Sequence, residues 1–502
     1  MTETPVRKKA VRIDTAFDVT SPATGDVVGT FPIHTESDVA ATVARARVAS
    51  QWWASLSFPQ RAARLDRWRS EIVCGTAELA ALINSEMGKP VSDAKLEIAM
   101  ALEHLAWAGK NASKVLGSRS VPSSLMTLNQ AASVEFPPLG VVGVIGPWNY
   151  PVFTPLGSVS FALAAGNAVV FKPSEYTPGV GAWLVAAFGR AVPEQPVLQL
   201  LTGGAQTGAA LCRSGVDKIG FTGSTATGKK VMATCAETLT PVLMECGGKD
   251  ALIVDSDADI RAAADAAVWG GLSNAGQTCL AVERIYVHEA VYDAFVTEVV
   301  ERSAKIHAGA PSGSKIGPIT MPSQVDVIRR HIADALEQGG RAVLGGLNTV
   351  AGQFVQPTVL VDVPETSLAV TEETFGPTLT IAKVADMDTA IELVNASRYG
   401  LGATVFAKKN ATDIARRIRV GGVGINAFVA YATIPSLPLG GVGQSGFGRV
   451  HGPEGLKEFT YAKAITRQRF PSPLALTTFA RSERTDSIVA VAVKLLHGRT
   501  RS

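Results

Sequence analysis

The sequence predicts an α/β protein built on a doubly wound, largely parallel sheet. Three observations carry that expectation. Between residues 141 and 245, short apolar runs alternate with helix-length segments over short connections, the pattern of successive βαβ units. The stretch 136–171 holds no charged residue, yet Pro147, Pro151 and Pro155, with Asn149 among them, would break a membrane-spanning helix. It reads instead as two doubly buried strands around a loop and a core helix. The composition, 46% hydrophobic and 18% charged with few aromatics, suits a globular chain of that class. At 502 residues the chain exceeds one ordinary core, so two or three domains are expected.

Taken in order, the first 120 residues read as mainly helical and buttress the first sheet. Strands follow at 141–145, 168–172, 197–201, 218–223 and 241–245, with helices over 154–167, 179–192, 205–212 and 224–237. Ligands of such sheets bind beyond the carboxyl ends of the strands, so the loops 146–151, 173–178, 223–228 and 245–249 should share one edge. A second α/β series then begins with a helix near 258–272. It continues through the strand "RIYVH", helices at 291–306 and 322–338, and strands at 355–362, 378–384 and 403–407. The glycine-rich segments "GGVGINAF" and "PLGGVGQSGFGR" close it.

The net charge of +3 gives no case for a nucleic-acid partner. Cys74, Cys212, Cys235, Cys246 and Cys279 are odd in number and irregularly spaced, with no CxxC and no Cys/His cluster. That pattern argues against a disulfide framework and a zinc site, so no metal is expected and a reducing, cytoplasmic location is. The basic N-terminus (Arg7, Lys8, Lys9, Arg12) lacks the apolar core of a signal peptide.

Gly441, Gly443 and Gly446 match GxGxxG, but they open no βαβ unit and are a decoy. A better phosphate site is "FTGSTATG", where Gly223 and Ser224 end a strand and start a helix; an ordinary capped helix start is the plain alternative. Lys172 and Glu175 follow the preceding strand and suit ribose hydroxyls, unless they form a mere surface ion pair. Glu245 ends an apolar strand, where burial raises a carboxyl toward the range of a general base. Cys279 follows Gly276, Gln277 and Thr278, a setting in which a thiolate would be a competent nucleophile. Alone, such a cysteine is more often buried filler and such a glutamate more often a cap or an ion pair.

"GPWNYP", "FKPSE", "FTGSTATG", "ECGGKD", "NAGQTC", "EETFGP" and "PLGGVGQSGFGR" occur in this order over about 300 residues. Together they resemble the aldehyde dehydrogenase superfamily, over nearly the whole chain. The stretches "NAGQTCLAVERIYV" and "GRVHGPEGLKEFT" are similar to actinobacterial succinate-semialdehyde dehydrogenase-like members.

The resemblance implies a Rossmann-type cofactor domain (16–118 and 141–244), a second α/β catalytic domain (245–445), and a bridging β oligomerisation element (119–140 and 459–470) ahead of a tail (471–502). It makes Cys279 the nucleophile toward an aldehyde, Asn149 an oxyanion ligand and Glu245 the activator of the water that hydrolyses a thioester. Lys172, Ser174 and Glu175 match the ribose-binding loop, Gly223 and Ser224 the pyrophosphate loop. Trp148, Gly247, Glu373 and Phe375 match positions around the nicotinamide and its ribose. Glu175 should repel a 2′-phosphate, favouring NAD, with NADP possible. A homodimer or homotetramer is implied.

Two positions depart from the pattern: Cys246 stands where leucine is common, and Leu439 where many members have phenylalanine. A semialdehyde carboxylate would need an arginine clamp; Arg284 is tempting but matches a position found across the superfamily. The tail "DSIVAVAVKLLHGRTRS" is too short in its apolar run to span a bilayer, and peripheral membrane contact is not expected of it. CoA-acylating oxidation and a non-catalytic binding protein on this fold are the alternative functions, disfavoured by the presence of Glu245 and by the intact Cys279, Glu245 and Asn149 respectively.

Overall fold

The computed structural model describes residues 15–309, 314–472, 474 and 476–498. Arg7, Lys8, Lys9 and Arg12, and the last tail residues 499–502, lie outside the described residues. By contacts the chain divides into two compact units: residues up to Val115 with Pro138–Tyr461, and Leu116–Pro137 with the chain from Ala462 on.

The first unit contains two large sheets. One is six-stranded, in the order Gly446–Phe447, Val242–Cys246, Lys218–Gly223, Val141–Ile145, Ala168–Lys172 and Leu198–Leu200. All its pairings are parallel except that of Gly446–Phe447, which runs antiparallel along Val242–Cys246. The expected strands are all present within a residue or two at each end. Chain order reverses at Val141–Ile145, which leaves a crevice at the carboxyl edge there. Helices Glu36–Ser55 and Phe58–Cys74 buttress this sheet, as their sequence suggested. The buried indoles of Trp53 and Trp68 donate to Leu163 O (2.8 Å) and Leu184 O (3.1 Å), fastening those helices to Phe153–Ala165 and Pro178–Ala191.

The other sheet has seven strands: Arg341–Leu344, Thr358–Val361, Thr378–Val384, Val282–His288, Asp250–Val254, Gly402–Phe406 and Gly422–Ile425. Only its first pair is antiparallel. Alternate residues of one strand serve opposite faces. Leu252 and Val254 pack under Ile260–Leu272 and Tyr292–Ser303, whereas Ala251 and Ile253 pack with Tyr286, Ile391 and Val405 on the other side.

Three features differ from the expected elements. Asp250–Val254, a central strand, does not register in the hydropathy because it follows the previous strand by three residues and opens on a charged side chain. Asp250 is nevertheless buried, accepting the Gly402 N–H at 3.0 Å. The expected strand 355–362 is split at Pro357, which has no N–H for a ladder. Phe354–Val355 forms a small hairpin with Val350–Ala351, and only Thr358–Val361 joins the large sheet. Gly422–Ile425 is a strand within a segment read only as glycine-rich. A Cβ on Gly422 would lie 2.3 Å from the Tyr431 ring, so a missing side chain is what lets this edge close. Val242–Cys246 also runs unbroken through the expected domain boundary at 244/245.

The second unit is a three-stranded antiparallel sheet, Lys463–Gln468, Gln130–Glu135 and Arg119–Val121, together with a helix, Glu483–His497, capped by Ser482. Ile488, Val491 and Leu495 of that helix are exposed. Among the described residues, no helix is long and apolar enough to cross a membrane.

Ile253 is fully buried at the centre of the second sheet. Ile253→Ala is expected to cost roughly 2–5 kcal/mol, read as a lower midpoint in denaturant unfolding.

Candidate active site

The chain leaves the first sheet at Cys246 and enters the second at Asp250, with only Gly247, Gly248 and Lys249 between. The carboxyl edge of one sheet therefore lies against the amino edge of the other. Asp250 pairs with Val282, three residues beyond Cys279, so the same connection carries Glu245 toward the cysteine loop. A Cβ on Gly248 would fall 2.7 Å from Cys279 O, which shows how closely the two segments pass. Glu245 and Cys279 line one cavity.

Cys279 follows an unusual turn. Asn274, Ala275 and Gly276 all have left-handed backbone, with φ of 53°, 56° and 74°. For alanine that conformation is strained, and strain of this kind persists only where the surroundings over-determine it. Here Gln277 does so: its side chain donates to Asn274 O (2.9 Å) and Pro318 O (3.2 Å) and accepts the Thr320 N–H (2.8 Å). Gly276 sits on the chain itself; a Cβ there would be 2.0 Å from Gly376 O.

Asn149 is brought against this loop. Its Nδ2 donates to Gln277 O at 3.0 Å, leaving its second amide hydrogen available, and Tyr150 Oη lies 3.0 Å from Thr278 Oγ1. Two residues absent from the sequence reading hold this segment. Glu97, fully buried, pairs with Lys89 and accepts the N–H groups of Val152 (2.8 Å) and Phe153 (3.0 Å) at the start of a helix. Lys89 Nζ also donates to Asn149 O at 2.7 Å. Glu97 lies on the helix Val91–Leu116 and Lys89 in the connection just before it, where a charged residue reads as solvated surface.

A second buried pair, Lys249–Glu283, holds the opposite wall. Glu283 accepts the N–H groups of Thr374 (2.9 Å) and Phe375 (3.0 Å), and so fixes the loop that carries Glu373. Glu373 accepts the Gly248 N–H at 2.9 Å, and a Cβ on Gly247 would lie 2.1 Å from its carboxylate. Phe375, at φ 50°, meets Trp148 edge to face with ring centroids 5.6 Å apart. Trp148 thus meets Phe375 and Gly247 meets Glu373 beside the segment that carries Glu245, although these four residues come from three separate segments. Lys249 and Glu283 stand inside quoted motifs, "ECGGKD" and "AVERIYV"; their opposite charges were the available signal.

The remaining residues lie along the same carboxyl edge. Lys172 is buried, with Nζ donating to Pro173 O (3.1 Å) and 3.8 Å from the half-exposed Glu175 carboxylate. An ammonium has three donors, so this one keeps capacity for ribose hydroxyls. Ser174 Oγ accepts the Tyr176 N–H and shapes the turn. Gly223 leaves no room for a side chain, since a Cβ would strike the Phe221 ring at 2.7 Å. Ser224 caps Thr225–Ala236 through Thr227 N, and the amides that a first helical turn leaves unpaired point out of this edge. These donors and carboxylates fit a dinucleotide.

The decoy glycines have a different task. Gly446 pairs with Glu245 across the antiparallel edge, and Ser445 Oγ ties that segment to Gly247 O at 2.8 Å. Arg284 is turned away from the cavity; it is buried on Lys249 O (3.0 Å), Leu393 O (3.3 Å) and Tyr286.

The cavity is dry enough to shift its acids. Burial pushes the Glu245 carboxyl from the ordinary 4.5 up to about 8, with Arg449 opposing, and its Oε1 is buried without a hydrogen-bond partner. Burial likewise pushes up the Cys279 thiol, aided by Glu245, Asp250 and Glu373. The Cys246 thiol is pushed up to about 12, so this neighbour of Glu245 stays protonated and quiet at neutral pH.

A doubly wound sheet whose carboxyl edge offers a dinucleotide cradle, opposite a thiol and a carboxyl in one cavity, is the layout of a nucleotide-dependent oxidoreductase. Residues 9–465 match the model of the aldehyde dehydrogenase family. The chain is 36% identical over 463 residues to a 4,4′-diapolycopene aldehyde oxidase of Methylomonas, covering 91% of this chain and 87% of that protein. It is also 36% identical to a probable succinate-semialdehyde dehydrogenase [NADP(+)] of Sinorhizobium fredii, over 89% and 92% of the two chains. The crystal structure of an NAD-dependent aldehyde dehydrogenase from Sinorhizobium meliloti superposes with a TM-score of 0.88 at 32% identity, covering 92% of this chain and 93% of that one. The chain belongs to the aldehyde dehydrogenase family.

Glu245 carries a testable pH dependence. The folded carboxyl keeps its proton up to about 8, whereas an unfolded one loses it near 4.5. Its contribution to stability therefore falls as pH rises through that window, while a carboxylate able to act as a base appears as pH rises through its upper end. Hydrolysis of an acyl-enzyme, followed in single turnovers, should accelerate with pH up to about 8 and then level off; a flat profile would remove Glu245 from that step.

Proposed function

We propose that this protein oxidises an aldehyde to the free carboxylic acid with NAD, NADP serving less well, through a thioester on Cys279. The observation that carries the proposal is the placing of Glu245 and Cys279 on one cavity beside the dinucleotide cradle, in a chain of this family. Lys172, Ser174 and Glu175 hold the adenosine ribose, Gly223 and Ser224 the pyrophosphate, and Trp148, Gly247, Glu373 and Phe375 the nicotinamide end. When bound, NAD(P)+ supplies the hydride acceptor that oxidation requires.

The residues of the chain do the rest. Cys279 Sγ adds to the aldehyde carbon, and its proton passes to solvent with Glu245 assisting as a relay, which leaves that carboxylate free for the next step. The Cys279 N–H and the free amide hydrogen of Asn149 steady the oxygen that becomes negative. Once the carbon stands at the acyl level, Glu245 takes a proton from water as that water attacks the thioester, and Cys279 leaves as the thiol. The half-exposed Glu175 carboxylate supports NAD over NADP by repelling a 2′-phosphate. Because Glu245 provides a water activator, transfer of the acyl group to CoA is disfavoured. The names of the relatives offer succinate semialdehyde and 4,4′-diapolycopene aldehyde as candidate substrates, and the lining of the cavity decides between such classes.

The small sheet of the second unit supports assembly as a homodimer or homotetramer, since Lys463–Gln468 presents an open edge. All five cysteines are free, which supports a reducing, cytoplasmic location.

Cys279→Ala should abolish NADH formation while dinucleotide binding, followed by fluorescence titration, persists; ordinary turnover in that variant would overturn the mechanism. Glu245→Gln should give a slower burst of one NADH per site, as thiol addition loses its relay, and then a steady rate lower by about 100-fold. An unchanged steady rate would count against Glu245 as water activator, and a requirement for CoA in acid release would favour the acyl-transfer alternative.

A further inference from the structure

We propose that the substrate is an uncharged, largely apolar aldehyde, and that an aldehyde bearing a second carboxylate is excluded by the cavity that holds Cys279. The inference rests on the aldehyde-oxidising reading above and concerns the side chain of the substrate. Beyond Cys279 and Glu245 the apolar part of the cavity wall includes Met100, Phe153, Trp269, Phe428, Leu439 and Val450. Trp269 is about half exposed, which places an indole where a substrate would enter.

The charges of the lining decide against an anion. Among the described residues that line the cavity there is no arginine, and Lys89 is the one lysine. Lys89 is already committed to Glu97, to Asn149 O at 2.7 Å and to the face of the Tyr150 ring, 3.8 Å from its centroid. Arg284, the arginine nearest in sequence, is turned away and tied to backbone carbonyls. His451 lines the cavity with His104 packed on it, ring centroids 3.8 Å apart. Burial pushes His451 well below its ordinary range and His104 down to about 4, so neither supplies a cation at neutral pH. Asp93 and Glu245 are the acids of the lining. A semialdehyde carboxylate would therefore leave water for an apolar wall with two acids and no free cation, and an ion buried without a partner bears the full loss of hydration. An alkyl or aryl aldehyde meets the same wall favourably, through the area it removes from water.

The test uses the purified full-length protein with NAD+ and three aldehydes at neutral pH: hexanal, phenylacetaldehyde and succinate semialdehyde. The expected result is a kcat/KM for hexanal and phenylacetaldehyde at least about 100-fold above that for succinate semialdehyde, equal to roughly 2.7 kcal/mol of transition-state stabilisation. Met100→Arg places a cation on the same wall and should narrow that ratio by about tenfold or more, chiefly through a lower KM for the semialdehyde. A kcat/KM for succinate semialdehyde equal to or above those of the other two would overturn the inference and leave the aldehyde-oxidising reading standing. NADH formation from none of the three would end both.

Discussion

The three-residue connection Gly247–Lys249 is the constraint on which the site depends. It joins the last parallel strand of the first sheet to a central strand of the second, so the carboxyl edge of one and the amino edge of the other must meet. No side chain could be accommodated at Gly247 or Gly248 without striking Glu373 or Cys279 O. That closeness puts a carboxyl from one sheet and a thiol from the loop ahead of a strand of the other on the same cavity. A longer connection would cost little in loop entropy but would no longer fix that distance.

Two buried glutamates convert the arrangement into a rigid one. Glu97 and Glu283 each pair with a buried lysine and each accept two backbone N–H groups from a loop of the site. A buried ion pair is seldom a large net source of stability, because desolvation offsets its attraction. Its contribution here is geometric: the Asn149 loop and the Glu373 loop each hang from a carboxylate that has no alternative partner. Lys89 and Lys249 are in turn tied to further atoms of the same loops, Asn149 O and Thr374 Oγ1. These four residues position the reacting groups without touching the reacting atoms.

The same dryness that makes those pairs specific sets the acid–base chemistry. Glu245 at about 8 is a stronger base, once ionised, than a carboxylate in water, and the same burial raises the Cys279 thiol beside it. The proposed exclusion of a second carboxylate draws on the same property, so the raised acids and the inferred substrate preference share one physical source, the low polarity of the wall.

Much of this was legible in the sequence. The first sheet was readable strand by strand because doubly covered parallel strands show as unbroken apolar runs, and the loops at its carboxyl edge followed from the alternation alone. The motifs around Asn149, Lys172, Ser224, Glu245, Cys279 and Glu373 carried enough local chemistry, taken together, to identify the family. What the sequence could not show was anything settled by long-range packing. Asp250–Val254 was hidden by its short lead-in and its buried acid, and Gly422–Ile425 by the absence of side chains. Glu97 on its helix and Lys89 in the connection before it read as surface, because only the fold shows that they are covered. The sequence by itself determined the chemistry, since reactive groups are local; the tertiary structure alone decided which charges are spent on holding loops and which remain to meet a substrate, because that depends on partners brought from distant parts of the chain.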